Sequence, residues 1–311
     1  ARGLLPIPRR ASIGFVTSVV DETDGEVRPV LAHIEQFQEG ETTAYQQRIT
    51  AGMAGPDEGF VSWALVGGVL PDILLPPKGG DRNLLFVLRI VDADDPPYIE
   101  LGYSDNAEHG LLHTETISFS YHFEEKGYEE AASDRDEARG LAIKLAVAVA
   151  MADGTFDDSE RVIFQNWISR TISPFSGDRR EDLKELYASA LREAYTDAKS
   201  GNLSLSEITQ TMNDISDSSQ KYEAIELCFD VMAADGVADE SELDTIKNIA
   251  EALDLDFDEI ENLRDQRLIG LDVSTEQQAS IETIIGIEPD WSEEQIKRHL
   301  REEFAEWNNR L

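Results

Sequence analysis

The sequence feature that most constrains the fold is an internal repeat with an offset of 82 residues. Residues 142–168 (AIKLAVAVAMADGTFDDSERVIFQNWI) align with residues 224–250 (AIELCFDVMAADGVADESELDTIKNIA), and eleven of the 27 positions are identical. Apolar residues around both copies recur at helical spacing, and Pro174 is the single proline between residues 131 and 267. Because β alternation is absent there, this part of the chain is predicted to be an all-helical, duplicated domain over residues 128–270.

Each copy of the repeat reads as two helices joined by a short turn. Gly154 follows an Ala-rich helix, where a left-handed residue often ends the helix. Asp157 then stands at the N-cap position of the next helix, and Glu160 three residues later completes a capping box. In the second copy the equivalent residues are Gly236, Asp239 and Glu242.

The aspartates that end the first helix of each copy are not explained by capping. Asp153 and Asp235 stand where the helix dipole opposes a negative charge. Two interpretations of the turns therefore stay open: a purely structural connection, or a set of carboxylates that binds a divalent cation such as Ca²⁺, Mg²⁺ or Mn²⁺. The spacing does not fit an EF-hand. The candidate metal ligands are Asp153, Asp157, Glu160, Asp235, Asp239 and Glu242.

The doubled Ala-Asp-Gly-x-x-acid-x-x-Glu motif after Ala-rich helices resembles the tellurite-resistance TerB family, over residues 134–267. That resemblance implies an all-helical duplicated fold, no established catalytic activity and an acidic surface proposed to bind metal. It also implies a role in multi-protein stress-response or phage-defence complexes. The metal-binding role that the resemblance implies applies only to the six carboxylates of the two turns.

Residues 1–127 are predicted to form a β-sandwich. Apolar runs rich in β-branched and aromatic residues alternate with turn dipeptides such as Asp-Gly, Gly-Pro and Pro-Pro. No amphipathic helix separates the runs, so parallel crossovers are not expected. The predicted strands are 13–20, 27–37, 45–51, 59–70, 84–91 and 117–123.

One acidic loop of this β-domain resembles the calcium loop of C2 domains. It contains Asp92, Asp94 and Asp95, and we expect Asp21 and Asp24 to form the facing loop. Carboxylates from two facing loops would bind Ca²⁺. The alternative, an acidic proline-rich turn without a ligand, stays open.

Residues 271–311 are predicted to be a linker followed by a C-terminal helix. Ser292 begins a capping box, and an apolar stripe follows at helical spacing. The segment resembles the opening of a J-domain, but Asn308, Asn309 and Arg310 stand where that family has His-Pro-Asp. Stimulation of a DnaK-type ATPase is therefore not expected, and a docking helix is.

Charge and motif content narrow the classes of function. The formal net charge of −36 disfavours nucleic acid and anionic lipid, and favours metal cations or basic protein surfaces. A single cysteine, Cys228, excludes an intrachain disulfide, and no run is long enough to span a membrane. No P-loop, dinucleotide fingerprint, G-x-S-x-G or H-E-x-x-H is present, so the sequence predicts no catalytic residues and no enzyme.

The resulting prediction is an α+β multidomain protein, with an N-terminal β-sandwich, a TerB-like helical domain and a C-terminal helix. We expect a non-enzymatic scaffold in a multi-protein complex, whose acidic turns bind a divalent metal or a basic protein partner. We expect it to be cytoplasmic, with at most peripheral contact at the inner face of the membrane. Two alternatives are a chaperone-associated adaptor that docks through the J-like helix and a calcium-dependent peripheral membrane adaptor.

Overall fold

The computed structural model describes residues 1–40, 42–102, 104–105, 109–234, 240–256 and 260. Strands fill the first part of the chain and helices the second, which confirms a mixed α+β architecture. The strands are β1 (Gly3–Leu4), β2 (Ala11–Asp21), β3 (Arg28–Pro29), β4 (Leu31–Ala32), β5 (Gln46–Ala54), β6 (Gly59–Phe60), β7 (Leu74–Leu75), β8 (Gly80–Asp92), β9 (Ile99–Glu100), β10 (Ser104–Asp105) and β11 (Leu111–Phe123).

The main sheet has five antiparallel strands in the order β11-β8-β2-β3, with β5 also pairing with β2. Strand β2 lies at its centre, since β8 covers one of its edges and β5 and β3 cover the other. Three two-stranded ladders accompany this sheet: β1 with β6, β4 with β7, and β9 with β10. Among the described elements there is no second sheet of comparable size, so the β-sandwich stays a prediction.

Both faces of β2 are buried, because apolar side chains pack against the strand on either side of the sheet. Ile13, Phe15 and Val19 alternate along one face and enter two apolar clusters. Val16 lies on the other face and packs against Val91 and Ile99. The central strand therefore lacks the apolar–polar alternation that a strand with one solvated face would show.

One predicted strand is wrong over most of its length. The pattern at 59–70 predicted a single strand, but only Gly59–Phe60 pairs, with β1. The following residues run unpaired over the main sheet, where a Cβ on Gly67 would come within 2.3 Å of the Thr17 side chain. The alternating residues Val61, Trp63 and Leu65 are 99%, 77% and 81% exposed, so the apolar pattern here reflects neither strand pairing nor burial. The predicted run 27–37 is likewise divided into β3, β4 and a short 3₁₀ turn.

Six helices follow. The apolar spacing predicts helices at about 133–152, 158–172, 180–199, 205–215, 219–234, 240–253 and 257–267, and the first six agree with the structure to within about one turn except that the first helix begins five residues earlier. Each of α2, α4 and α5 begins with a side-chain N-cap, from Asp157, Ser204 and Asp217 respectively. Helix α3 ends at Gly201, whose φ of 73° places it in the left-handed region. The helices are α1 (Tyr128–Ala150), α2 (Asp158–Ile172), α3 (Gly177–Ser200), α4 (Leu205–Ile215), α5 (Ser218–Met232) and α6 (Glu240–Ala252).

The helices share one apolar core, built mainly from the Ala-rich second half of α1 and from α5. Helix α5 packs against α2 and α6, α2 packs against α3, and α4 packs against α6. The contacts between residues divide the chain into two compact units: Ala1–Glu137, here called the sheet unit, and Ala138–Leu311, here called the helical unit. Of the predicted helix at 257–267 only Ile260 is described, and it is buried in this core. The predicted C-terminal helix lies outside the described residues.

Burial repeats with the same 82-residue offset as the sequence. In the first copy the buried residues are Ala142, Ile143, Leu145, Ala146, Val147, Val149, Ala150, Glu160, Phe164 and Trp167. In the second copy they are Ala224, Ile225, Leu227, Cys228, Phe229, Val231, Met232, Glu242, Ile246, Ile249 and Ala250. Each buried position of the first copy thus has a buried counterpart, even where the residue type differs.

Candidate functional site

The candidate site is the acidic turn between α1 and α2. Helix α1 ends at Ala150, and the last backbone bonds of its C-terminal end run from Ala152 N–H to Val149 (2.9 Å) and from Gly154 N–H to Met151 (3.0 Å). Gly154 has a φ of 88°, which side-chain-bearing residues rarely adopt. The predicted use of this glycine to end the helix is therefore confirmed.

Asp153 has a structural role that the sequence interpretation lacked. Its Oδ1 accepts a hydrogen bond from the backbone N–H of Thr155 at 2.7 Å, and both carboxylate oxygens accept from the Thr155 hydroxyl, at 2.8 and 2.9 Å. This is an Asx-turn, in which an aspartate bonds to the backbone two residues later. The threonine at i+2 was the signal that the sequence interpretation missed. Val237 stands at the equivalent position of the second copy and has no hydroxyl.

Asp157 and Glu160 form the predicted capping box, which confirms that interpretation. The Asp157 carboxylate accepts from the Ser159 N–H (3.2 Å) and hydroxyl (2.7 Å). Glu160 Oε2 accepts from the Asp157 N–H at 2.7 Å. Asp157 is exposed, whereas Glu160 is only 7% exposed and lies against the helical core. Amide and hydroxyl donors thus bind both carboxylates.

Only part of the second turn can be compared. Asp235 and Asp239 lie outside the described residues, so their predicted roles stay predictions. Glu242 is described, and it is the third residue of α6 just as Glu160 is the third residue of α2. Both glutamates are 7% exposed. The two copies therefore bury a glutamate at the third position of equivalent helices, α2 and α6.

A three-carboxylate metal site is not formed by the described residues. In residues 1–40, 42–102, 104–105, 109–234, 240–256 and 260, no group of three or more His, Cys, Asp or Glu side chains is arranged to hold a metal ion. Of the three predicted ligands in the first copy, Asp153 and Asp157 are exposed to solvent, whereas Glu160 is buried. Metal binding by the six predicted ligands stays a prediction, with two of them outside the described chain.

The expected calcium loops of the β-domain are wrong in their placement. The register pairs Ile13 with Asp92 at one end of β2 and Asp21 with Leu84 at the other. Eight residues of strand separate the two acidic groups, a distance of about 26 Å, so they do not face each other. The sequence interpretation failed because strand register, which decides which loops share an end of the sheet, is a long-range property.

Three of the five acidic residues of those two loops, Asp21, Asp24 and Asp92, instead bind arginines. Asp92 accepts from Arg9 at 2.8 Å. Asp21 accepts from Arg82 Nε at 2.7 Å and from its Nη2 at 3.2 Å, and both side chains are nearly fully buried. Arg82 also contacts Asp24, whose pKa is lowered by hydrogen bonds from Lys78 and Arg82. No local signal could have revealed pairs of residues that lie about 60 positions apart in sequence.

Two further properties bear on function. Cys228 is fully buried, and burial raises the pKa of its thiol, so it is not a nucleophile. In the part of the chain that the structure describes, no helix is both long and apolar enough to cross a membrane. The J-like segment lies outside the described residues.

Comparison with known proteins identifies the helical segment. A family model described as "Tellurite resistance protein TerB" matches residues 142–265, which begin and end close to the helical domain predicted from the repeat. No curated protein and no solved structure matches the chain. The match contains both copies of the repeat and the candidate turn at residues 152–160. Residues 142–265 of this chain are therefore similar to the TerB family, which is described by its link to tellurite resistance.

Proposed function

We propose that the helical unit is a non-enzymatic binding module that holds a basic protein partner through its acidic turns, within a multi-protein stress-response or defence assembly. The TerB match supports the general area of function. The turn itself offers hydrogen-bonded carboxylates and no nucleophile–base pair, which favours binding over catalysis.

The observation that carries this proposal is the exposure of Asp153 and Asp157 without a cation beside them. Both side chains face solvent, and no described Lys, Arg or His forms an ion pair with either. Their neighbour Asp158 has only a surface ion pair with Arg161, at 3.1 Å. Amide and hydroxyl donors orient the carboxylates but leave their negative charge in place. Such a preoriented anionic surface fits Lys or Arg side chains of a partner.

The repeat supports two such surfaces per chain. The shared burial pattern of residues 142–168 and 224–250 supports a duplication. The sequence predicts the second acidic turn at 235–242, of which residues 235–239 lie outside the described part of the chain. Two turns that bind one basic partner would raise its affinity beyond that of either turn alone.

Binding of Ca²⁺, Mg²⁺ or Mn²⁺ is the second candidate function. It has the support of the same exposed carboxylates, because oxygen ligands suit hard cations. The inward orientation of Glu160 favours the protein partner, since a metal at the first turn would keep only Asp153 and Asp157 as protein ligands.

The test uses a fluorescent Lys-rich dodecapeptide as the basic probe, with anisotropy as the readout. The double variant Asp153→Asn, Asp157→Asn removes two charges while keeping hydrogen-bond acceptors, since Asn also serves as an N-cap. Each surface charge contributes up to about 1 kcal/mol, so we expect binding to weaken roughly five- to tenfold.

A matched control removes two charges elsewhere on the helical unit. Asp182→Asn with Glu251→Gln changes exposed side chains of α3 and α6 by the same total charge. Equal weakening in the two double variants would contradict a specific turn site, because it would reflect net charge alone. Calorimetric titration of the same proteins with Ca²⁺, Mg²⁺ and Mn²⁺ tests the metal. Heat that is lost only in the turn variant would favour the metal over the peptide.

A further inference from the structure

Within the described part of the chain, β11 is an edge strand, and the backbone groups on its outer side pair with no other strand. Over its whole length it pairs with β8, from Leu111 opposite Val91 to Phe123 opposite Gly80. It stands at the end of the strand order, and no described residue pairs with its outer side. A strand of 13 residues is long for an edge, and its free N–H and C=O groups can pair with another strand.

Most devices that protect sheet edges are missing from β11. The strand contains no proline, lysine or arginine, and its one register shift lies at the extreme end, between Leu111 and His113. Near its middle, Ile117 is 64% exposed. Edges without inward charges, prolines or central bulges favour pairing between chains.

The opposite edge strand, β5, is protected by comparison. It carries Arg48, and its register shifts where β2 passes from Ile13 to Gly14. Gly52 adopts a φ of 96°, which distorts the strand further. The two edges of one sheet therefore differ in the feature that decides whether another strand can be added.

Charge identifies the partner. The chain has 63 acidic residues among 311, about one in five, yet Glu115 is the single acidic residue of β11. A basic partner would be attracted more strongly to the acidic surfaces elsewhere on the protein than to this strand. A second copy, which carries the same net charge of −36, is repelled from most of the surface and least from this strand. We propose that the outer edge of β11 pairs antiparallel with β11 of a second copy.

The register of this pairing follows from symmetry. Two-fold pairing of all 13 residues places the axis at Ile117, the midpoint of Leu111–Phe123. Thr116 then lies opposite Ser118 of the second copy, and such hydroxyl pairs are favourable. Glu115 lies opposite Phe119 of the second copy and not opposite its own equivalent, so no like charges meet.

The first experiment measures mass by sedimentation velocity over a range of concentration and salt. Two copies of the 34.6-kDa chain are expected to form a dimer that strengthens with added salt, because salt screens repulsion between two acidic chains. Ile117→Lys places two ammonium groups across the axis and should weaken the dimer at least tenfold. Met53→Lys is the matched control, since Met53 is 60% exposed on the opposite edge strand, and its dimer should be unchanged.

The second experiment tests the register by cysteine cross-linking. Ile117→Cys should form an intermolecular disulfide under mild oxidation, because the axis brings this position next to its own equivalent. Thr114→Cys, on the same strand, would lie opposite Ser120 and should not cross-link. The natural Cys228 is buried and will not compete. A wild-type protein that stays at 34.6 kDa, or a dimer that Ile117→Lys leaves intact, would overturn the proposal. Circular dichroism verifies that each variant is folded.

Discussion

The two units of this protein use their acidic residues in opposite ways. In the sheet unit, buried Asp21 binds Arg82, so a guanidinium neutralises the carboxylate. In the helical unit, Asp157 and Glu160 accept hydrogen bonds from backbone amides and a hydroxyl. Asp21 is therefore neutralised by a cation within its own unit, whereas Asp157 keeps its negative charge exposed to solvent.

The difference follows from where backbone donors are free. The first turn of every helix has N–H groups without intrahelical partners, so an acidic side chain there is stabilised locally. A central strand has no such groups, because its N–H donors bind the neighbouring strands. Asp21, the last residue of β2, accepts from a single backbone donor, the Thr23 N–H at 2.8 Å, and its buried charge is balanced by Arg82 from elsewhere in the chain. Helix turns can keep an exposed anionic surface for a partner, and strands cannot do so as easily.

The largest expected effect comes from breaking the buried ion pair. Arg82→Met leaves the Asp21 carboxylate without its guanidinium and should destabilise the sheet unit by about 3–5 kcal/mol. Hydrogen–deuterium exchange of peptides from β2 and β8 measures this loss separately from the helices. The double variant Arg82→Met, Asp21→Asn should recover part of it. Equal protection in wild type and Arg82→Met would show that the pair does not stabilise the sheet.

A smaller effect is expected at the two buried glutamates, and it sharpens the comparison within the helical unit. Glu160→Ala and Glu242→Ala each remove a buried carboxylate from the third position of a helix. Glu160→Ala should cost about 1–3 kcal/mol, because the Asp157 N–H loses its acceptor, and an equivalent role of Glu242 predicts a cost of the same size for Glu242→Ala. Exchange of peptides from α2 and α6 reports the two losses. A large loss at one position and none at the other would contradict equivalent roles in a duplicated unit.

The smallest effect concerns Glu130, an acidic residue of the sheet unit that accepts hydrogen bonds from backbone amides, as Asp157 and Glu160 do in the helical unit. Glu130, in the first turn of α1, accepts hydrogen bonds from the N–H groups of Gly79 (2.7 Å) and Gly127 (2.9 Å), which lower its pKa below the ordinary 4.5. A lowered folded-state pKa stabilises the protein above pH 4.5 and ceases to do so as pH falls through that lower value. The stability difference between wild type and Glu130→Gln should therefore be greatest near neutral pH and shrink in acid. Thermal unfolding between pH 7 and pH 3 would show this narrowing, and a constant difference would contradict it.

Helical features were predictable because their causes lie within a few residues. The spacing of apolar residues gave the six described helices, and the Asp157–Glu160 capping box follows from four consecutive residues. The long strands β2, β8 and β11 were also recognised, although β11 begins six residues before the predicted 117. The polar residues Thr114 and Glu115 interrupt the apolar pattern from which strands were predicted, because an exposed edge strand does not need apolar residues.

What the sequence by itself determined is the duplication signal, the helix boundaries and the identity of the carboxylates at the turns. Tertiary structure decided where those carboxylates point: Asp153 to Thr155, Asp157 to solvent and Glu160 into the core. It also decided that Asp21 and Asp92 lie at opposite ends of β2, and that β11 is an edge while β2 is central. The physical reason is distance along the chain. Helix caps and periodicity depend on neighbours three or four residues apart, whereas register, edges and buried ion pairs depend on segments tens of residues apart.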